Sequence, residues 1–224
     1  SVLEYRDEGF LPDALLNYLA RLGWAHGDQE IFTAEELVCA FDFGGLNKSA
    51  ATFDWDKLLW VNQHYIQNAA PGRLVDLAKP YLEAAQIPLA DGPDIGAAVE
   101  AQRTRAKTLV EIAEQSHMFY GHLIRDENAA KKHLRPVVGP ALEAIRERFA
   151  SLDTWDGEAL KGIVEQTAAA FDMKLGKVAQ PLRVAVTGFS ASPSIDVTLE
   201  LVGKKKCLER LDAALVYIAE RAAA

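Results

Sequence analysis

The stretch from Lys174 to Lys206, KLGKVAQPLRVAVTGFSASPSIDVTLELVGKKK, constrains the fold more than any other part of this chain. Thr187-Gly188 indicates the end of one helix, because glycine accepts the positive φ that closes a helix C-terminus. Ser192-Pro193 predicts the start of the next helix, with the serine as N-cap and the proline in the first helical position. Two helix ends are therefore expected side by side.

Arg183 lies within the apolar run LRVAV, at a position typical of leucine or isoleucine. An arginine in such surroundings usually has an acidic partner or an anionic ligand. Arginines beside helix N-termini suit phosphate groups and base edges. This pattern alone leaves two explanations open, a buried salt bridge in a helical bundle and contact with RNA.

Helix start and stop signals recur along the chain and predict an all-α fold of about ten helices in two to three subdomains, without internal repeats. Thr33–Glu36 has the pattern of a capping box. One long helix is expected from residue 94 or 95 to about 116, and another helix with Thr154 as its cap. Residues 182–187 alternate β-branched side chains, but the run is short and has no pairing partner, which favours a helix.

No pattern in the chain predicts an active site. The five histidines never combine an i, i+4 spacing with a third metal ligand, and no serine stands in a G-x-S-x-G motif. Cys39 and Cys207 lie far apart and are expected to be reduced thiols. The loop at 44–49 lacks the spacing of a phosphate-binding loop. We therefore expect no catalytic residue, metal or cofactor in these residues.

The charge distribution bears on nucleic-acid binding more than the total does. The formal net charge of −8 argues against a general nucleic-acid binder. However, the acids are concentrated in the first sixty residues, whereas residues 61–224 are nearly neutral and carry basic patches. Solvated helix faces are the commoner explanation of such patches, but their distribution favours a localised RNA-binding face. These patches lie at residues 103–107, 131–135, 174–183 and 204–210.

Long motifs stand near both ends of the chain. Residues 176–193, GKVAQPLRVAVTG followed by SP, together with the later GKKK and LERL, resemble the C-terminal end of the bacterial glutamyl-tRNA synthetase family. SVLEYRDEGFLPDALLNYLARLGWAHGDQEIF at 1–32 and FDFGGLNKSAATFDWDKLLWVNQHY at 41–65 resemble the segment that follows its KMSKS-type loop. The resemblance spans nearly the whole chain. It implies that Ser1 lies just past that loop, and the residues at the start of the sequence are not expected to act as a leader peptide.

The resemblance implies a domain organisation and a function. Residues 1–70 are expected to form the stem-contact region, followed by anticodon-binding subdomains at 71–125 and 126–224. The implied function is recognition of tRNA(Glu), so that an absent Rossmann domain can attach glutamate with ATP and Mg. Since the HIGH and KMSKS motifs are both missing, residues 1–224 are not expected to aminoacylate by themselves. A cytoplasmic monomer is implied, with tRNA(Glu) as partner, glutamate and ATP bound by the missing domain, and neither DNA nor membrane.

Individual residues follow from the same resemblance. Arg183 and the turn residues Ser192, Pro193 and Ile195 match positions where the family contacts the anticodon. Arg105, in RTRAKTL, matches a position where arginine favours C over G at the last anticodon base, which would reject tRNA(Gln). The basic patches, rather than the resemblance, add Arg103, Lys107, Lys174 and Lys177 as further candidate contacts with the RNA backbone.

A free-standing α-helical protein-interaction module without a role in RNA binding is the alternative. The acidic first sixty residues and the amphipathic helices would suit such a module equally well. The two hypotheses differ in whether the chain binds RNA.

Overall fold

The computed structural model describes residues 1–47 and 51–223, and this part of the chain contains thirteen α-helices and two 3₁₀ turns. In chain order the helices are α1 (Val2–Asp7), α2 (Pro12–Gly23), α3 (Ala34–Ala40), α4 (Trp55–Asn68), α5 (Pro71–Ala84), α6 (Ile95–Gln102), α7 (Leu109–Ser116), α8 (Glu127–His133), α9 (Gly139–Ala150), α10 (Gly157–Ala170), α11 (Leu175–Thr187), α12 (Ile195–Val202) and α13 (Lys204–Ala223). The 3₁₀ turns are His117–Phe119 and Pro136–Val138. The described residues form no β-strand, so the predicted all-α class is confirmed. Lys48 and Ser49 of the predicted loop lie outside the described residues.

The chain forms two compact units, each from two segments. The first unit comprises Ser1–Gln86 and Gln102–Gln115, and the second comprises Ile87–Ala101 and Ser116–Ala224. The subdomain boundaries expected after residues 70 and 125 stay predictions.

In the first unit, α2 packs against α3 and α4. Two buried asparagines join its helices to the intervening loops. Asn17 Oδ1 accepts a hydrogen bond from the Phe32 amide at 2.8 Å, and Asn62 Oδ1 accepts one from the Leu11 amide at 2.8 Å. Because a buried amide group must be hydrogen-bonded, these contacts fix how the loops enter the core.

In the second unit, α9 packs against α13, and α10 packs against α9, α11 and α12. Helix α11 ends as predicted, with Gly188 in the left-handed conformation at φ +82°. A Cβ atom at Gly188 would lie 1.9 Å from the carbonyl oxygen of Ile124. Glycine is therefore required here both for the backbone conformation and for the close approach of the segment before α8.

The continuous helix expected from residue 94 to 116 is wrong. The chain leaves α6 after Gln102 and starts α7 at Leu109. Thr108 Oγ1 accepts from the Glu111 amide at 3.1 Å, while a Glu111 carboxylate oxygen accepts from the Lys107 amide at 2.7 Å. This reciprocal pair satisfies amide groups that an uninterrupted helix would have bonded internally, so it stabilises a new helix start.

Two predicted helix starts were placed too early in the sequence. Helix α10 is capped by Asp156, whose Oδ1 accepts from the Ala159 amide at 2.9 Å, rather than by Thr154. A carboxylate at this position also interacts favourably with the helix dipole. Helix α12 has Ser194 at its N-cap position, without a side-chain cap, rather than Ser192. The Ser192 hydroxyl is engaged elsewhere, as described below.

Candidate nucleic-acid interface

Arg183 projects from α11 and is partly buried, with neutral hydrogen-bond partners. Its Nε donates to Ser192 Oγ at 2.8 Å, and its Nη1 donates to Gln180 Oε1 at 2.6 Å. None of the described carboxylates lies within ion-pair distance of this guanidinium. Burial lowers the pKa of Arg183 below its usual value, with no acidic neighbour to raise it. A cation held in place without a counter-charge is suited to an anionic or base-edge ligand.

The turn between α11 and α12 holds Ser192 in a fixed position. Its hydroxyl donates to the Pro193 carbonyl at 2.9 Å and lies 3.0 Å from Thr198 Oγ1. Thr198 Oγ1 also approaches the Pro193 carbonyl at 3.2 Å. Pro193 is buried, and Ile195 at the start of α12 is partly exposed. We call Gln180, Arg183, Ser192 and Thr198 the Arg183 cluster.

The structure therefore brings together four of the sequence-predicted residues, namely Arg183, Ser192, Pro193 and Ile195. They lie at the end of α11, in the turn and at the start of α12. The predicted meeting of two helix ends is found, although Ser192 serves as a partner of Arg183 rather than as a helix cap.

A groove lined by basic side chains adjoins this cluster in the second unit. It has a volume of about 710 Å³ and includes Gln180 in its lining. Its basic residues come from α8, from the turn after α8 and from the N-terminal end of α11. We call it the basic groove, and its basic residues are Lys132, His133, Arg135, Lys174 and Lys177.

The ionisable side chains among the described residues that line the basic groove are all basic. No aspartate or glutamate is among the described residues that line it. Burial and the neighbouring cations Lys132, Arg135 and Lys177 lower the pKa of His133 below its usual value. Lys174 and Lys177 are exposed, as expected for contacts with an RNA backbone. The sequence had singled out these two lysines as candidate RNA contacts, and Lys132 and Arg135 belong to the basic patch expected at 131–135, whereas His133 was not singled out.

Arg210 belongs to a basic patch expected from the sequence, but its side chain is buried and stabilises the fold. The residue is 6 % exposed, and its guanidinium donates to the carbonyls of Met118 at 2.8 Å, Val186 at 2.6 Å and Gly121 at 3.2 Å. It thereby ties the last turn of α11 to the segment at 118–121. The expected basic patch at 204–210 does not include Arg210, because this side chain points into the core.

Arg105, Arg103 and Lys107 belong to the first unit and lie in the break between α6 and α7. Arg105 is partly buried, and its Nη1 donates to Gln102 Oε1 at 2.9 Å. Arg103 is 9 % exposed, and its Nη1 donates to the carbonyls of Gln67 at 3.2 Å and Ala69 at 2.6 Å. Lys107 is exposed. Arg103 thus serves the C-terminal end of α4, which leaves Arg105 and Lys107 as the accessible basic residues of this turn.

Among the described residues, neither a metal-binding group nor a membrane-spanning helix is found. These residues contain no group of three or more histidine, cysteine, aspartate or glutamate side chains arranged to hold a metal ion. None of the helices in this part of the chain has both the length and the apolar content needed to cross a bilayer.

Comparisons with known proteins identify the family. Residues 73–215 match the family model described as anticodon binding domain, and residues 1–60 match the model for class I tRNA synthetases (E and Q), catalytic domain. A glutamate–tRNA ligase from Coxiella burnetii is 48% identical over 97% of this chain and 47% of the relative. One from Legionella pneumophila is 46% identical over 100% of this chain and 48% of the relative.

Solved structures show the same similarity. The crystal structure of a glutamate tRNA ligase from Elizabethkingia meningosepticum, in complex with its amino acid, has a TM-score of 0.85 at 28% identity. The matched region covers 96% of the present chain and 43% of the Elizabethkingia meningosepticum chain. The glutamate–tRNA synthetase structure from Elizabethkingia anophelis has a TM-score of 0.80 at 28% identity. The chain thus spans about half the length of the relatives it matches.

Proposed function

Because this chain belongs to the anticodon-binding domain family, we propose that it is the region of a glutamate–tRNA ligase that recognises tRNA(Glu). The observation that carries the proposal is the Arg183 cluster. A partly buried guanidinium is held by Ser192 and Gln180 without a carboxylate at ion-pair distance among the described residues. In this proposal an anticodon nucleotide supplies the missing partner.

The neighbours of Arg183 have separate roles in the proposed interface. Ser192 and Gln180 orient the guanidinium so that its remaining donors face the nucleotide. Pro193 shapes the turn, and Ile195 offers a partly exposed apolar surface to a base. Arginine is well suited to this task because its planar donors match the acceptor pairs on base edges.

Arg105 is proposed to read the last anticodon base. Its guanidinium is positioned by Gln102 Oε1 at 2.9 Å in the turn between α6 and α7. The proposed preference for C over G at that base would separate tRNA(Glu) from tRNA(Gln). Lys107, Lys174 and Lys177 are proposed as contacts with the RNA backbone, whereas Arg103 is omitted because carbonyls of the first unit engage it.

The proposal extends to a full-length protein with glutamate–tRNA ligase activity, of which this chain would be one part. We assign glutamate, ATP and Mg to the part of the relatives that this chain does not span. We further propose a cytoplasmic monomer with a stem-contact region at 1–70 and anticodon-binding subdomains at 71–125 and 126–224. Residues 1–224 contain neither a HIGH nor a KMSKS motif, so they are expected to bind tRNA without activating glutamate.

Replacing Arg183 with alanine tests the proposal. RNA stem-loops carrying the glutamate anticodon should bind the Arg183→Ala chain more weakly by about 1–3 kcal/mol, since one charge-assisted contact is lost. Fluorescence anisotropy titration measures this difference. Arg146→Ala is the matched control, because Arg146 is an arginine of the same unit paired with Asp212 at 2.8 Å. Equal affinities for the two variants would contradict a role for Arg183 in RNA binding.

A further inference from the structure

The basic groove has no counter-charge of its own. Lys131 forms an ion pair with Glu127 at 3.4 Å, but its neighbour Lys132 faces the groove, where the charged side chains among the described residues are all basic. Crowding like charges raises the free energy of the unliganded protein. An arrangement of this kind is therefore stabilised by a bound anion.

The N-terminus of α11 adds to the positive potential. Helix α11 is thirteen residues long and begins at the rim of the groove, where Gly176 is part of the lining. Lys174 at its N-cap position provides no side-chain cap, and the Lys177 amide donates to the Lys174 carbonyl at 2.8 Å. The amides of Leu175 and Gly176 are therefore the helix donors open to a ligand. The five basic side chains and this helix end point to the same ligand chemistry, a phosphate group.

We propose that the basic groove binds consecutive phosphodiester groups of the RNA strand whose base contacts Arg183. This inference rests on the proposed function. Gln180 connects the two sites, because it lines the groove and its Oε1 accepts from Arg183 Nη1 at 2.6 Å. A strand with its base at Arg183 thus has its backbone beside Lys177. A nucleic-acid strand fits better than an acidic peptide. Each nucleotide carries both a base, which can contact Arg183, and a phosphate, which can enter the groove.

A proton linkage follows from the position of His133. The groups that face it are Lys132 from its own helix, Arg135 from the next turn and Lys177 from α11. Burial, and then these cations, lower the pKa of His133. A phosphate in the groove raises that pKa by stabilising the imidazolium. RNA affinity should therefore increase as the pH falls from about 8 to about 6, and His133→Gln should remove this dependence.

Gly176→Glu places a negative charge in the groove without a steric clash. Gly176 is the second residue of α11, and a Cβ atom there meets nothing within 4 Å. Gly72→Glu is the matched control, because Gly72 is the second residue of α5 and is equally unobstructed. An acid in the first turn of a helix is favourable, so neither variant should lower the melting temperature.

The experiment measures the binding of a stem-loop with the glutamate anticodon to the whole chain at several salt concentrations. Gly176→Glu should weaken binding about tenfold and reduce the slope of log K against log salt by about 0.7 per lost single-strand phosphate contact. Gly72→Glu should leave both values unchanged. Equal effects of the two variants, or an unchanged slope in Gly176→Glu, would overturn the groove proposal.

The two proposals can fail separately. Discrimination between anticodon bases depends on the Arg183 cluster and should persist in Gly176→Glu, since the phosphates are the same for every base. If base discrimination is present but the salt slope is unaffected by Gly176→Glu, the groove proposal fails and the proposed function stands. If binding depends on salt but never on base identity, the proposed function fails.

Discussion

Arg183 and Arg210 show how the same residue type takes different roles according to its acceptors. Arg210 donates to three main-chain carbonyls and is 6 % exposed, whereas Arg183 contacts two neutral side chains and is partly buried. Burial lowers the pKa of both guanidinium groups, yet an arginine stays protonated at neutral pH. Arg210 is thus a structural cation, while Arg183 retains donors for a ligand.

Arg210→Met should therefore act on stability. Three carbonyls around a buried side chain lose their donor, which is expected to lower the free energy of unfolding by about 2–5 kcal/mol. Urea denaturation followed by circular dichroism measures the loss. Arg146→Ala, which removes a solvent-exposed ion pair, should change stability little. A similar stability for both variants would show that the carbonyl contacts of Arg210 contribute no more than a surface pair.

At the scale of the helices, local signals predicted those ends that depend on nearby residues. The capping box at Thr33–Glu36 is present, with Thr33 Oγ1 accepting from the Glu36 amide at 3.1 Å, and Gly188 ends α11. The break before α7 was missed because residues 103–108 contain no glycine or proline. Its Leu109 amide donates to the Gly9 carbonyl at 2.9 Å, a partner that no local pattern could identify. The sequence T-x-x-E at Thr108–Glu111 was the available signal.

The helix start at α10 gives a prediction at this scale. Asp156→Ala removes the acceptor of the Ala159 amide and should lower the free energy of unfolding by about 1 kcal/mol. Thr154→Ala should have no measurable effect, although sequence reasoning had assigned the cap to Thr154. Thermal melts of both variants compare the two positions. A larger loss in Thr154→Ala than in Asp156→Ala would contradict the assigned cap.

For the molecule as a whole, net charge is a poor guide to its ligand. The chain carries −8 overall, yet one groove of the second unit is lined by basic side chains with no acid among its described residues. The charge pattern of the sequence indicated two separate basic patches, at 131–135 and 174–183, but not that they are neighbours in space. Only the packing of α8 against α11 brings the two segments together. The basic residues of the groove could thus be predicted as separate patches, whereas their assembly into one groove depends on tertiary packing that no local pattern shows.

We propose that this chain reads anticodon bases and does not merely attract RNA through charge. Two stem-loops that differ only by C or G at the last anticodon position carry identical phosphates, so a difference in affinity isolates base recognition. We predict that the chain binds the C-containing stem-loop about tenfold more tightly, within the range of 1–3 kcal/mol for one base contact. Arg105→Gln should reduce that ratio while the melting temperature stays unchanged. Equal dissociation constants for the two stem-loops with the unmodified chain would contradict the claim.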